Sequence, residues 1–212
     1  MKRKKIVFFI VMIVLAISMF SGNLDIINQL CEKAKETEKK LQNYVKIINS
    51  DIYTYDTKGK LLTHEKKHYE IVWDGEKWVE KGIIKDDKNQ EKSFNPFNYK
   101  DISYFNYSIK DKGDEYIIVV TLKDKFKDIK AEIGTYIVSK KTGYFKEENT
   151  TLSKMPSQFI ETFKIRTSYG EIEKGLIVPV NMKNIINSKV MFGVGRKVVI
   201  ITRYSYKKRK YE

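Results

Sequence analysis

From residue 44 onward, short runs of β-branched and aromatic residues alternate with clusters of turn-forming residues. Such clusters occur at Asp56-Thr57-Lys58-Gly59, Asp74-Gly75, Asp111-Lys112-Gly113 and Lys140-Lys141-Thr142-Gly143. Strands joined by turns this short pair as antiparallel hairpins. The run from Tyr116 to Leu122 is apolar on both faces, which favours a central strand. The pattern predicts about ten strands, near residues 44–55, 61–73, 76–84, 102–110, 115–123, 131–139, 143–152, 158–168, 176–182 and 196–206.

One segment has the periodicity of a helix instead. Between Leu24 and Leu41 the apolar residues recur three and four positions apart, and lysine and glutamate occupy the opposite face. Asn23 can cap the first turn, where Asp25 is also favourable. The sequence therefore predicts a mainly β (α+β) fold, in which one curved antiparallel sheet packs against an N-terminal amphipathic helix.

The first 22 residues have the layout of a secretory signal. Four cations follow Met1, and residues 6–20 carry no charge. This block is short for a permanent anchor, because a membrane-spanning helix needs about 20 apolar residues. We expect residues 1–22 to be a signal peptide or a retained N-terminal anchor, and residues 23–206 to form a single domain. The expected location is the periplasm or the outer face of the cytoplasmic membrane.

Basic residues are concentrated near the C terminus. The chain has a formal net charge of +14, and residues 196–212 contain seven Lys and Arg against the single acid Glu212. In an exported protein, a basic tail at residues 207–212 fits an anionic membrane surface better than a nucleic acid. The alternative is an edge strand kept soluble by its lysines. The one cysteine, Cys31, excludes an internal disulfide.

The segment His64-Glu65-Lys66-Lys67-His68 matches the H-E-x-x-H motif of zinc hydrolases. That chemistry needs a helix, on which both histidines reach one ion and the glutamate acts as general base. Here the segment continues into the alternating run Tyr69–Trp73 and is predicted to be a strand. Its two histidines would then lie about 13 Å apart, at about 3.3 Å per residue. We therefore predict no metal site at His64, Glu65 and His68, although Glu91 could be argued as a third ligand.

No other catalytic arrangement stands out. The neighbouring acids Glu147 and Glu148 are interpreted as solvated charges on alternating strand faces. We predict no catalytic residue, no cofactor and no enzymatic activity.

Two tryptophans flank the turn at Asp74-Gly75. A two-residue turn there would pair Trp73 with Glu76 and Ile71 with Trp78, which places four apolar side chains on one face of the hairpin. These candidate ligand-cavity residues are Tyr69, Ile71, Trp73 and Trp78. Two interpretations stay open. Either the helix covers them as core, or they line a cavity open to an apolar ligand.

The order of these elements resembles a known family. The helix and the first strand are followed by Trp73-Asp74-Gly75-Glu76-Lys77-Trp78, by the run from Gly134 to Gly143, by Met155-Pro156 and by Tyr204-Ser205-Tyr206. This arrangement is similar to the Lol-type lipoprotein-sorting carriers (LolA/LolB-like) of the bacterial periplasm. The resemblance implies a half-open β-barrel wrapped around the helix, with an apolar cavity that receives acyl chains. No cavity residue of those carriers maps onto a position here.

Three function hypotheses follow. The first is a non-enzymatic envelope protein that binds a lipid or a lipoprotein acyl chain in a cavity between sheet and helix. The second is a membrane-anchored envelope protein that binds a protein partner. The third is a zinc-dependent hydrolase acting through His64, Glu65 and His68.

Overall fold

The chain forms one large antiparallel sheet with one helix. The computed structural model describes residues 23–75, 77–81, 94–189 and 195–209, so the predicted leader lies outside the described residues. The fold is mainly β and half-barrel-like, and its sheet is not closed. The helix α1 occupies residues 23–41. The strands are β1 (Tyr44–Tyr55), β2 (Leu61–Trp73), β3 (Trp78–Glu80), β4 (Phe105–Lys112), β5 (Glu115–Leu122), β6 (Glu132–Ser139), β7 (Phe145–Leu152), β8 (Ile160–Glu173), β9 (Leu176–Ser188) and β10 (Lys197–Lys208).

The strand order places the first strand beside the last one in the interior of the sheet. Across the sheet it is β3-β2-β1-β10-β9-β8-β7-β6-β5-β4. Strands β1 and β10 pair from Tyr44 opposite Lys208 to Tyr55 opposite Lys197. Every other pairing joins strands that are consecutive in the chain. The sheet is therefore two β-meanders held together by the β1–β10 pair, with β3 and β4 at its edges.

Most of the predicted elements are confirmed. The helix and the ten strands appear where the sequence predicts them, and β1 and β2 have the predicted bounds. Strands β8 and β9 extend further than predicted, to Glu173 and Ser188. The strand β5 is paired on both sides, as predicted for a central strand, although its neighbour β4 is the edge strand. Beyond residue 81, the predicted third strand lies outside the described residues.

The main core lies between α1 and strands β4–β6. Ile27, Leu30 and Cys31 of α1 pack in one cluster with Ile118 of β5 and Val138 of β6. Burying a side chain of this size stabilises the fold by about 1.5–3 kcal/mol. A smaller cluster at the other end of α1 combines Leu41 with Tyr44, Leu176 and Val178. The helix is thus fixed to the sheet near both of its ends. Within the described part of the chain, no helix is both long and apolar enough to cross a bilayer.

The segment 94–100 packs between α1 and the sheet. The Phe97 ring is buried among the rings of Tyr136 and Phe145, whose centroids each lie 4.8 Å from its own. The Tyr107 hydroxyl donates to the Pro96 carbonyl, and the Tyr99 hydroxyl donates to the carbonyl of Asn28 in α1. These contacts hold the segment in place beside the helix.

Candidate ligand cavity

A cavity of about 1000 Å³ lies between α1, the 94–100 segment and one face of the sheet. This volume is at the upper end of the range of about 300–1,000 Å³ that is usual for ligand pockets. Its apolar and aromatic lining includes Leu30, Ala34 and Leu41 of the helix, Phe94 and Phe97 of the segment, and Ile71, Trp78, Tyr136, Phe145 and Tyr169 of the sheet.

Two carboxyl groups point towards this cavity from neighbouring strands. Glu132 of β6 and Glu148 of β7 both line it. Tyr136, which is directly opposite Glu148 in the β6–β7 register, lines it too. Because side chains alternate along a strand, Glu147 lies on the opposite face, where its carboxylate accepts a hydrogen bond of 2.9 Å from the Arg166 guanidinium.

Each of the two carboxyl groups has a hydroxyl partner, and neither has a cationic one among the residues that the structure describes. The Tyr169 hydroxyl donates to Glu148, and the Thr150 hydroxyl donates to Glu132. Neither glutamate forms a salt bridge with any residue in the described ranges. Taking a carboxylate out of water without a counter-ion is costly, and proteins avoid the cost by keeping the proton.

The pKa values follow from this enclosure. Burial, with a smaller contribution from the nearby charge of Glu132, raises the pKa of Glu148 to about 7, against the lowering effect of the Tyr169 hydrogen bond. Burial also raises the pKa of Glu132, against the lowering effect of the Thr150 hydrogen bond. The prediction that both Glu147 and Glu148 are solvated is therefore wrong for Glu148. The prediction agrees with the structure for Glu147, whose hydrogen bond from Arg166 lowers its pKa.

Lysine side chains also line the cavity, and Lys46 is the one that lies on β1. Lys46 of β1 lines it, and its ammonium lies 4.5 Å from the centroid of the Tyr204 ring. Burial lowers the pKa of Lys46. Four strand-to-strand steps separate β1 from β7 in the sheet, which corresponds to about 19 Å along its surface at about 4.8 Å per step. Lys46 is therefore distant from the two carboxyl groups, and Lys33, Lys35 and Lys100 also line the cavity.

Of the four predicted cavity residues, Ile71 and Trp78 line the cavity, whereas Tyr69 and Trp73 are outside its lining. All four are half-buried, and none belongs to either buried core cluster. The predicted register is wrong, because Trp73 pairs with Trp78 and Ile71 with Glu80. The two indole rings meet edge to face, with centroids 5.6 Å apart.

The H-E-x-x-H segment lies in β2, so its prediction as a strand is confirmed. His64 Nε2 lies 3.0 Å from Asp51 Oδ1, and the imidazole stacks on Tyr53. His68 Nδ1 lies 2.8 Å from Asn49 Oδ1. Among the described residues, no group of three or more His, Cys, Asp or Glu side chains is arranged to hold a metal ion. Glu91 lies outside them.

The predicted tail begins inside the sheet. Strand β10 continues to Lys208, and the next residue donates its backbone N–H to the Asn43 carbonyl. The side chain of Arg209 also donates to the Trp73 carbonyl. Residues 210–212 lie outside the described ranges.

Compared with models of known protein families, with curated proteins and with solved structures, the chain has no significant match.

Proposed function

We propose that this chain is a non-enzymatic binding protein of the cell envelope, which holds an amphiphile of lipid size between α1 and the sheet. The observation that carries the proposal is the cavity of about 1000 Å³, whose lining is mostly apolar and aromatic but includes two enclosed carboxyl groups. A chain with a secretory leader and a cavity of this kind is suited to carry a lipid or a lipoprotein acyl chain.

The apolar part of the ligand would lie against the aromatic wall. Each CH₂ group moved from water into such a site contributes about 0.8 kcal/mol. The half-buried side chains of Trp78 and Phe145 line the cavity and can contact an alkyl chain. In the half-open barrel that the Lol-type resemblance implies, the sheet curves around the helix, and the chain would enter between them.

The polar part of the ligand would be a cation. Glu132 and Glu148 accept one hydrogen bond each from a hydroxyl, and they meet no cation among the residues described. A ligand ammonium would offset the cost of burying these carboxylates, and hydrogen bonds to charged groups contribute about 1.5–3 kcal/mol. An anionic head group would be repelled by ionised carboxylates there, although Lys46 and the other lysines of the lining could attract it.

Displacement of a neutral fluorescent probe tests the proposal. The full chain would be loaded with N-phenyl-1-naphthylamine, which would then be displaced with decylamine, decanol or decanoate. We expect the amine to bind roughly tenfold more tightly than the alcohol, in line with one charge-assisted hydrogen bond, and the carboxylate to bind most weakly. Glu148→Gln and Glu132→Gln should remove the preference for the amine. Glu147→Gln is the matched control, since that residue is on the same strand but faces away.

A second pair of variants tests the cavity itself. Ala34→Trp introduces an indole where α1 lines the cavity, and Lys39→Trp introduces the same group at an exposed position of the same helix. Probe uptake should be lost in the first variant and kept in the second. Equal uptake in both would exclude this cavity as the binding site. Preference for decanoate would retain the cavity as the binding site but would assign the polar contact to the lysines of its lining, such as Lys46.

A further inference from the structure

Four connections between paired strands lie at one end of the sheet, and three of them form a basic surface with exposed apolar side chains. These three are the β1–β2 connection at residues 56–60, the β7–β8 connection at residues 153–159 and the β9–β10 connection, of which residues 189, 195 and 196 are described. The register places Tyr55 opposite both Leu61 and Lys197, which follow the first and the third of these connections. The backbone N–H of Lys189 donates to the Phe159 carbonyl at 2.8 Å, which joins the other two.

This end of the sheet exposes large apolar side chains. Leu61, Leu62 and Phe159 are 47%, 45% and 46% exposed. Over the described ranges, only two other large hydrophobic residues are comparably exposed, Leu24 and Tyr99. The three side chains are spread out rather than contiguous, because β1, β10 and β9 separate β2 from β8. At about 4.8 Å per strand, Leu61 and Phe159 are on the order of 19 Å apart.

The same connections are strongly basic. Their exposed cations are Lys58, Lys60, Lys154, Lys189 and Arg196. None of the five forms a salt bridge with a residue that the structure describes. The one acid in the described part of these connections is Asp56. Its carboxylate accepts the backbone N–H groups of Lys58 and Lys60, at 2.9 and 2.8 Å.

We propose that this surface, termed here the hairpin end, docks the protein on an anionic lipid bilayer. It is defined by Lys58, Lys60, Leu61, Leu62, Lys154, Phe159, Lys189 and Arg196. Apolar side chains that enter the interface and cations that attract acidic head groups are the two contributions by which peripheral proteins bind such membranes. Separate apolar tips around one edge match a planar fluid surface, whereas a protein partner would be expected to fill one contiguous patch. The proposal does not depend on the content of the cavity.

Site-specific labels can report docking in the full chain, whatever contribution the leader makes to membrane association. A cysteine introduced as Leu62→Cys or Phe159→Cys would carry an environment-sensitive nitrobenzoxadiazole group. The native Cys31 should remain unlabelled, because it is buried and burial raises its pKa to about 11. The control site is Tyr99→Cys, exposed to a similar degree but situated beside α1.

Vesicles of phosphatidylcholine and phosphatidylglycerol in equal amounts are the probe, with pure phosphatidylcholine vesicles as reference. We expect emission from positions 62 and 159 to rise and shift to the blue with the anionic vesicles only, and emission from position 99 to stay unchanged. Reversing two charges, as Lys58→Glu with Lys60→Glu, should reduce the rise roughly fivefold or more. Reversing two exposed lysines at the other end, as Lys141→Glu with Lys174→Glu, should leave it unchanged.

Three results would overturn the proposal. One is water-like emission at positions 62 and 159 on anionic vesicles. Another is an equal response on neutral vesicles, and the third is an equal response at position 99. The first would leave the hairpin end as a surface for an acidic protein, which is a different assignment.

Discussion

At the scale of single residues, the unusual group is Glu148, because its carboxyl faces the cavity rather than water. A carboxyl that keeps its proton in the folded chain and loses it in the unfolded chain makes stability depend on pH. The pKa of Glu148 is raised to about 7 from an ordinary value of about 4.3. Its stabilising contribution is therefore complete below about pH 4 and disappears as the pH rises through about 7.

Glu148→Gln should remove this part of the pH dependence. We expect the variant to exceed the parent chain in free energy of unfolding by about 2–3 kcal/mol at pH 8, and to match it near pH 4. Urea unfolding of both chains at the two pH values measures the difference. Glu147→Gln should show no such gain at pH 8, because Glu147 faces water and pairs with Arg166. A parent chain and Glu148→Gln variant with parallel pH profiles would contradict the buried-carboxyl assignment.

The sequence could not reveal which of the two glutamates faces inward. Phe145 and Glu148 both line the cavity although they are three residues apart, which simple alternation along a strand forbids. The register shifts between Ile137 and Val138, so that Val138 pairs with Phe145 and Ile137 with Glu147. In this β-bulge Lys146 is the extra residue. The side chains that follow it therefore point to the opposite face of the sheet from the one that simple alternation predicts. Counting forward from Phe145 without the bulge would have placed the Glu147 side chain in the cavity.

At the scale of elements, α1 carries more of the core than any single strand, because both core clusters contain its side chains. Ile27→Ala removes a side chain that is 1% exposed and should lower the free energy of unfolding by about 2–4 kcal/mol. Leu24→Ala changes the same helix at a position that is 54% exposed. It should alter the free energy of unfolding by less than about 0.5 kcal/mol. Denaturant unfolding of the two variants and of the parent chain measures both changes in the free energy of unfolding. Similar losses would show that α1 is not docked as described.

Predictions of elements from the sequence succeeded where a local rule decides the outcome. Spacings of three and four residues identified α1, and the turn clusters identified the hairpins. The β2–β3 register was wrong because the turn is closed by Asp74 and Lys77, with the Asp74 N–H donating to the Lys77 carbonyl at 3.0 Å. This changes the pairing by two residues rather than one, so Trp73 and Trp78 still share a face.

At the scale of the whole molecule, the two halves of the sheet are packed unequally. Leu61 to His68 of β2 are exposed throughout, and β3 covers only Ile71 to Trp73. Strand β5, by contrast, has Ile118 and Val120 fully buried beneath α1. Regions with few buried apolar contacts open at lower free energy than the core does.

Hydrogen exchange followed by mass spectrometry should resolve this difference. We expect peptides covering residues 61–68 to exchange much earlier than peptides covering 115–122, even though both segments are hydrogen-bonded to a neighbouring strand. Ile27→Ala should accelerate exchange in β5 and leave β2 nearly unaffected. Simultaneous exchange of the two regions would mean that the sheet opens as one cooperative unit.

The pairing of β1 with β10 also determines the order in which the sheet can be completed. A chain synthesised from its N terminus contains β1 long before β10. Strand β1 therefore has no partner on its β10 side until the last strand has been synthesised. Loss of β10 would leave a six-stranded meander from β4 to β9 and a separate three-stranded one. Closing contacts across such a long sequence separation makes folding slow. Until β10 is in place, the edges of β1 and β9 that it will pair with remain open. Pairing with β10 therefore protects both edges from association with other chains.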